Sequence, residues 1–527
     1  MFRHLWASSV FSQLGWTVQT VAAGWMMTTL TDSRTMVALV QTCIMMPVML
    51  FSIPMGVLAD GFDRRRMMIV AQILMMVGSV VLVLTSYAGL TTPPLLLILS
   101  FLIAVGVAIH NPAWQASFFD LVGKPDVPAA VTLHSMGYNA MRSLGPAIGG
   151  LIVALASVTA AFAVNAISYI PLIVALFRWK PAPVERSLPR EGFRQALVSG
   201  LRYVAMSPNL LIVMLRATLF GGAATSLTAL MPLVASEWLG GGAILYGTLL
   251  GSFGAGAVVG GMITPVLRAH LSNETATRIA CLGSAIPMLV LAFHHNAWTN
   301  HLFLLPAGAS WVFAVSMFNV SFQLAVPRWV LARALSIYQT CLFGGLALGS
   351  WLWGIVANDY GLWAALVGSA LMLLANAVLG LVLPCPDFSE DDLDPLQDAS
   401  LQKTSLPVAA GSGPIQISVE FHILEKDIPA LLALMVARRR IRRRDGALNW
   451  HLSRNVHEPE MWIETYRVPD WSAYLRHTAR RTKADADNLG QLLKLHQGDE
   501  PPRVSRYLIV DPRPRRAGGL TAPSMEV

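Results

Sequence analysis

The stretch GVLADGFDRRR, Gly56 to Arg66, sets two carboxylates and three guanidiniums in one short turn between two apolar runs. Charges placed there could fix which side of a membrane the turn occupies. They could also pair with neighbouring helix ends in one conformation and release them in another. The plainer alternative is a solvated loop between two buried soluble helices. A second set of polar residues interrupts otherwise apolar runs: Gln13, Trp16, Gln19, Asn139, Arg142, Asn165, Arg216, Asn319, Gln323, Tyr338 and Gln339. Polar groups are costly in lipid and tend to mark sites. Gln19, Asn139, Arg142, Asn165, Arg216, Asn319, Gln323 and Tyr338 are therefore the candidates for a substrate cavity. Arg142 and Arg216 are the costliest. Either could meet an anionic substrate, or snorkel to the membrane edge.

Enzymatic chemistry finds little support. No GxxxxGK[ST] loop is present to cradle a nucleotide phosphate. The four cysteines, Cys43, Cys281, Cys341 and Cys385, are scattered without a CxxC pair and read as small apolar fillers. No catalytic group, cofactor or metal site is expected. No Asp or Glu lies in the middle of an apolar run. His110 and His134 could titrate near neutral pH, but both fall near an edge.

The elements that would position these residues follow from bulk composition. The chain has 527 residues, 54% of them hydrophobic and only 13% charged, with a mean hydropathy of +0.55. Soluble domains carry about 25% charge. Apolar windows long enough to cross a bilayer recur at 5–29, 36–59, 67–89, 93–113, 137–157, 159–177, 209–233, 243–267, 277–295, 299–323, 335–357 and 361–383. The spacing predicts an all-α polytopic membrane protein of twelve transmembrane helices in two pseudo-symmetric bundles of six. The first window is too long, and too polar at Gln13 and Gln19, for a cleaved signal peptide. With the N-terminus placed in the cytoplasm, fifteen Lys and Arg fall on the inner side and Arg34 alone on the outer side. That bias puts both termini in the cytoplasm.

The expected domains are an N-terminal bundle (1–180), a linker with an amphipathic helix (181–208), a C-terminal bundle (209–384), a flexible linker (385–413), a small α+β cytoplasmic domain (414–512) and a disordered tail (513–527). Residues 384–527 hold twenty bases and twenty acids, so the net +8 resides in the apolar region, 18 bases against 10 acids. Topology explains that excess, and nucleic-acid binding is not expected. In the tail, IQISVEFHI alternates as a strand, IPALLALMVARRRIRRR reads as a helix, and LNWHLSRNV and EMWIETYRV form a hairpin. Asp470 caps a helix through Leu495, and RVSRYLIV adds a last strand. The order βαββαβ is that of a ferredoxin-like fold. Trp450, His451, His457, Tyr466 and His477 form no metal or nucleophile pattern. ARRRIRRR could touch anionic lipid or be a solvated face.

GVLADGFDRRR resembles the signature turn of the major facilitator superfamily, matching at Gly56, Leu58, Ala59, Asp60, Arg64 and Arg65. Asp63 stands where many members have Gly. LGPAIGG, with Gly145, Pro146, Gly149 and Gly150, resembles the span-five motif of drug–proton antiporters. NPAWQASFFDLVGKPDVPAAVTLHSMGYNAMRSLGPAIGG and VPRWVLARALSIYQTCLFGGLALGSWLWG resemble the enterobactin-exporter-like subgroup. The resemblance covers residues 1–385. It implies secondary active transport by alternating access, an exporter of small hydrophobic, amphipathic or siderophore-like molecules, and coupling to protons. It also implies gating roles for Gly56, Asp60, Asp63, Arg64, Arg65, Gly145, Pro146, Gly149 and Gly150, with Asp60 meeting the N-terminus of span eleven. The tail resembles antibiotic-biosynthesis-monooxygenase-like domains, which implies homodimerisation. The partners are then the lipid bilayer, a small-molecule substrate and protons. Two other readings stay open: a membrane-anchored sensor or scaffold acting through the tail, and a membrane-anchored oxidoreductase.

Overall fold

A computed structural model describes residues 1–122, 126–179, 193–327, 330–387, 406, 408–409, 411–479, 483–497 and 500–510. The chain divides into two compact units, Met1–Phe388 and Ser389–Val527.

The first unit is helical throughout. Its elements are α1 (Phe2–Leu30), α2 (Arg34–Gly61), α3 (Arg64–Tyr87), α4 (Pro93–Ala116), the short α5 (Phe118–Leu121), α6 (Val127–Leu155), α7 (Val158–Arg178), α8 (Phe193–Ala205), α9 (Pro208–Leu233), α10 (Ala243–His270), α11 (Asn273–Phe293), α12 (Ala297–Leu324) and α13 (Leu331–Leu379). Hydrocarbon offers backbone groups no hydrogen bonds, so helices must satisfy their own. Their exposed ends are capped locally. Ser33 accepts from the Met36 amide, Asp63 from Arg66, Ser157 from Ala160, and Asn296 from Trp298 and Thr299. Large apolar side chains point outward all around the unit, among them Val70, Leu84, Ile98, Met262 and Val266. Such a surface is unusual in water and ordinary against acyl chains.

The span count needs correction. Among the described residues nine helices, not twelve, are long and apolar enough to cross a membrane, by length and composition. Three places account for the difference. The windows 335–357 and 361–383 both fall in α13, which carries a break at Gly361, where φ is 91°. The first window lies on α1, a helix diluted by Ser8, Ser9, Gln13, Thr17, Gln19 and Thr20. The fifth lies on α6, where only Leu144–Leu155 is a continuous apolar stretch among the described residues. The apolar region is also one compact unit, not two bundles of six.

The second unit holds β1 (Ile415–His422), α14 (Ile428–Arg444), β2 (Leu448–Arg454), β3 (Met461–Val468), α15 (Trp471–Ala479), α16 (Lys483–Leu495) and β4 (Val504–Leu508). The four strands form one antiparallel sheet in the order β2-β3-β1-β4. Ile417 faces Tyr466, and Phe421 faces Trp462. Because side chains alternate along a strand, Ile415, Ile417, Val419 and Phe421 share one face. There they form the core with Leu431, Met435, Tyr474 and Leu492. Asp470 Oδ1 accepts from the Ala473 amide at 2.7 Å and starts α15. Of the helix read from Asp470 to Leu495, α15 and α16 are the described parts, and residues 480–482 between them lie outside the described residues. The expected linker 385–413 and tail 513–527 lie largely or wholly outside the described residues.

Candidate gating and translocation site

The charged stretch begins at Gly56, near the end of α2. A side chain there would meet Ser336 Oγ of α13 at 3.1 Å, so the end of α2 lies close against the start of α13. Asp60 is on α2, with its side chain outside the described residues. Asp63 caps α3 and also lies 3.5 Å from Arg66. Arg64 pairs with Asp120 of α5 at 2.9 Å. Arg65 donates to the carbonyls of Leu176 and Phe177, both at 2.8 Å. Both carbonyls lie in the last turn of α7, and a cation is favourable there. The charged turn thus fastens α3 to α5 and α7.

The small residues of α6 meet two helices. A side chain at Gly145 would collide with Thr17 of α1, and one at Gly149 would lie 3.0 Å from the Val18 Cα. Gly150 meets Gly247 of α10 backbone to backbone, and a Cβ on Gly247 would sit 2.5 Å from the Gly150 Cα. Small residues let helices approach this closely. Pro146 lies inside α6, which continues through it. Next to this contact, Trp25 of α1 stacks on Tyr246 of α10 with ring centroids 6.1 Å apart.

The cavity candidates separate into distinct groups. Gln19, 2% exposed, accepts from Ser79 of α3 at 3.0 Å and from Asn165 of α7, and Asn165 also donates to Ser79 at 2.9 Å. This is a closed polar cluster among α1, α3 and α7. Arg216 on α9 is fully buried. Its guanidinium donates to Asn376 of α13 at 2.8 Å, to Glu274 of α11 at 3.1 Å and to the Leu383 carbonyl at 2.9 Å. It braces three helices with its donors spent inside the protein. Gln323 donates to Asn319 one turn back on α12 at 2.6 Å. Tyr338 stacks on Phe322 with centroids 4.9 Å apart, and its buried hydroxyl meets no hydrogen-bond partner among the described residues. Asn139 and Arg142 are on α6, with their side chains outside the described residues.

Sequence reading missed the partners of these groups. Arg34 makes a two-pronged pair with Glu237 at 2.8–3.2 Å and donates to the Ala357 carbonyl of α13 at 3.0 Å. Residues 203 positions apart leave no local signal of pairing. Glu274 and Asn376 went unremarked for the same reason. His110 contacts Gln72 of α3 at 3.3 Å, and Trp114 donates to His134 at 3.2 Å.

In the second unit Glu464 on β3 is fully buried beneath α14. It accepts from Arg438 at 2.7 Å, Arg442 at 3.1 Å and Trp450 at 3.0 Å. Burial pushes its carboxyl up, but the Arg442 and Arg438 guanidiniums and the Trp450 hydrogen bond outweigh that and hold it at about 2. His477 completes the cluster, 3.3 Å from Arg442. Among the described residues no group of His, Cys, Asp and Glu could hold a metal ion.

Comparison with known proteins gives these arrangements a context. The family model described as Transmembrane secretion effector, of major facilitator type, matches residues 1–514 and so extends into the second unit. The chain is 23% identical to the staphyloferrin A transporter of Staphylococcus aureus over 366 residues, 69% of this chain and 91% of that protein. It is 21% identical to macrolide efflux protein A of Streptococcus pyogenes over 405 residues, 74% and 96% of the two chains. It is similar in fold to the nucleoside transporter NupG, with a TM-score of 0.59 at 12% identity over 73% of this chain and 99% of that one. A bacterial homolog of the human lysosomal transporter Spinster, inward-facing and occupied, gives a TM-score of 0.57 at 14% identity, over 72% and 96%. At such identities the structures speak for the fold alone. The chain is a multi-pass membrane protein that moves a small molecule by secondary transport; it belongs to the transmembrane secretion effectors of the major facilitator type.

Proposed function

We propose that the protein exports small hydrophobic, amphipathic or siderophore-like molecules by alternating access and proton antiport, with both termini in the cytoplasm. The carrying observation is the Gly150–Gly247 contact between α6 and α10. A backbone-to-backbone seal of this kind can form and part as a unit, whereas interlocked side chains would have to unpack first. Arg34 adds a charged clasp joining α2 to Glu237 and α13. The relatives named for staphyloferrin A transport and macrolide efflux support the substrate class. GVLADGFDRRR is the gating turn in this reading. Asp60 biases one state, and Arg64 and Arg65 keep α3 fixed to its neighbours. Arg216 is assigned a bracing role, and substrate contacts fall to Asn139, Arg142, Asn319, Gln323 and Tyr338.

Inverted vesicles carrying the protein test this reading. Candidate siderophores and macrolides should accumulate inside them when a proton gradient is imposed, and an uncoupler should abolish the uptake. Uptake indifferent to the uncoupler removes proton antiport. No accumulation of either class removes the export assignment.

For the second unit, the strand order β2-β3-β1-β4 supports a ferredoxin-like domain that pairs with a second copy. Gln416, Ser418, Glu420, Met461, Ile463, Thr465 and Arg467 alternate with the core residues and so lie on the face away from it. Pairing through that face would cover Met461 and Ile463 within a polar, hydrated surround. Light scattering of the detergent-solubilised chain should give the mass of a dimer. A monomeric mass at micromolar concentration overturns the pairing.

A further inference from the structure

The arginine run of α14 splits by direction. Arg438 and Arg442, four residues apart, point inward to Glu464. The exposed positions of α14 are Pro429, Ala430, Leu432, Ala433, Val436 and Ala437 in its first half, and Arg439, Arg440 and Arg443 in its second. Leu432 is 46% exposed and Val436 66%. Arg439 lies over the Trp450 ring, 6.0 Å from its centroid. None of these exposed positions holds an acid or a neutral polar side chain. A merely solvated helix face interleaves both charge signs with polar residues. An apolar half followed by a wholly cationic half is instead the pattern of a helix that lies in a membrane interface.

We propose that the outer face of α14 docks on the anionic surface of the membrane that holds the first unit. Leu432 and Val436 enter the headgroup region, and Arg439, Arg440 and Arg443 meet lipid phosphates. Charge complementarity selects this occupant. A second copy of α14 would bring six arginines together, and an apolar partner would leave three guanidiniums without counter-charge. Reach permits it as well. From Asp387 to Gly411 the chain has 411 − 387 = 24 residue steps, at most about 85 Å when fully extended. The second unit is therefore always near a bilayer. Anionic leaflets attract such clusters, each arginine strengthening binding roughly fivefold.

The full-length chain in lipid nanodiscs tests this without reference to transport, so its failure is separate from failure of the export reading. Discs of phosphatidylcholine alone are compared with discs holding roughly a third phosphatidylglycerol. Arginine-selective dicarbonyl labelling is then read by mass spectrometry. Labelling of Arg439, Arg440 and Arg443 should fall at least about fivefold in the anionic discs and recover in high salt. Arg454, exposed at the end of β2 and off the sheet face proposed to pair, should stay unchanged in both. Leu432→Ser with Val436→Ser should return much of the labelling, because the apolar half would no longer insert. Equal labelling in both discs overturns the proposal. A fall shared by Arg454 shows only general surface attraction and overturns it too. Protection already present in neutral discs or detergent would mean that protein covers the face, which also rules the proposal out.

Discussion

Replacing Gly150 with valine is expected to reduce transport by more than an order of magnitude while the protein still reaches the membrane. A bare Cβ at Gly150 would already collide with the Gly247 Cα and approach the Ala243 carbonyl to 3.0 Å. These are backbone atoms, which cannot rotate away. Overpacking a tight contact costs about 1–3 kcal/mol, enough to move a conformational equilibrium by roughly 5- to 150-fold. The loss falls on the state in which α6 and α10 touch, and a transporter cycling through that state slows accordingly. Gly261→Ala on α10 is the control, because its nearest neighbour, Val312, lies at an ordinary 3.8 Å. Transport per inserted molecule should collapse for Gly150→Val and persist for Gly261→Ala. Equal activity in the two would show that the seal takes no part in the cycle.

Glu464→Gln is expected to loosen the second unit more than any surface change. Removing one partner of a buried ion pair costs about 3–5 kcal/mol, because the opposite charge is left without compensation. Here two arginines lose it together. In the full-length chain, β1 and β3 amides should exchange with solvent roughly a hundredfold or more faster at neutral pH. The pH dependence carries the sign. The Glu464 carboxyl is lowered from 4.5 to about 2, so its stabilisation is present in full above pH 4.5. It fades as the pH falls toward 2. The native chain should therefore approach the variant's exchange rate across that interval, compared at matched pH. A variant as protected as the native chain at neutral pH would mean that the triad contributes no net stability.

The sequence and the structure agree best where information is local. The alternation in IQISVEFH marks β1, and the apolar runs located α3, α4 and α7 to within about three residues. Window averages mislead where polarity and apolarity mix. α1 forms a helix of 29 residues although its Ser, Thr and Gln dilute it. Gly361, where one apolar window begins, is the non-helical break at which α13 kinks. Pairings remain invisible when they join distant positions. Nothing near Arg216 announces Asn376, 160 residues away, and nothing near Arg34 announces Glu237. Polarity inside the apolar runs did single out Gln19 and Asn165, but whether such groups face a cavity or one another depends on three helices at once. Here Ser79 closes the set, and a serine on α3 carries no sequence signal of its own.

The two directions of the α14 arginines bear on how this segment can change over time. Each helical residue turns the side chain by about 100°. Deleting or inserting a single residue before Arg438 would swing the inward pair out and aim other positions at Glu464. Exchanging an outer arginine for lysine would leave every other position where it is. The length of α14 should therefore vary far less among descendants of this chain than the identity of its outer residues, and frame-preserving deletions in the corresponding stretch of the gene should be tolerated poorly even where substitutions accumulate freely.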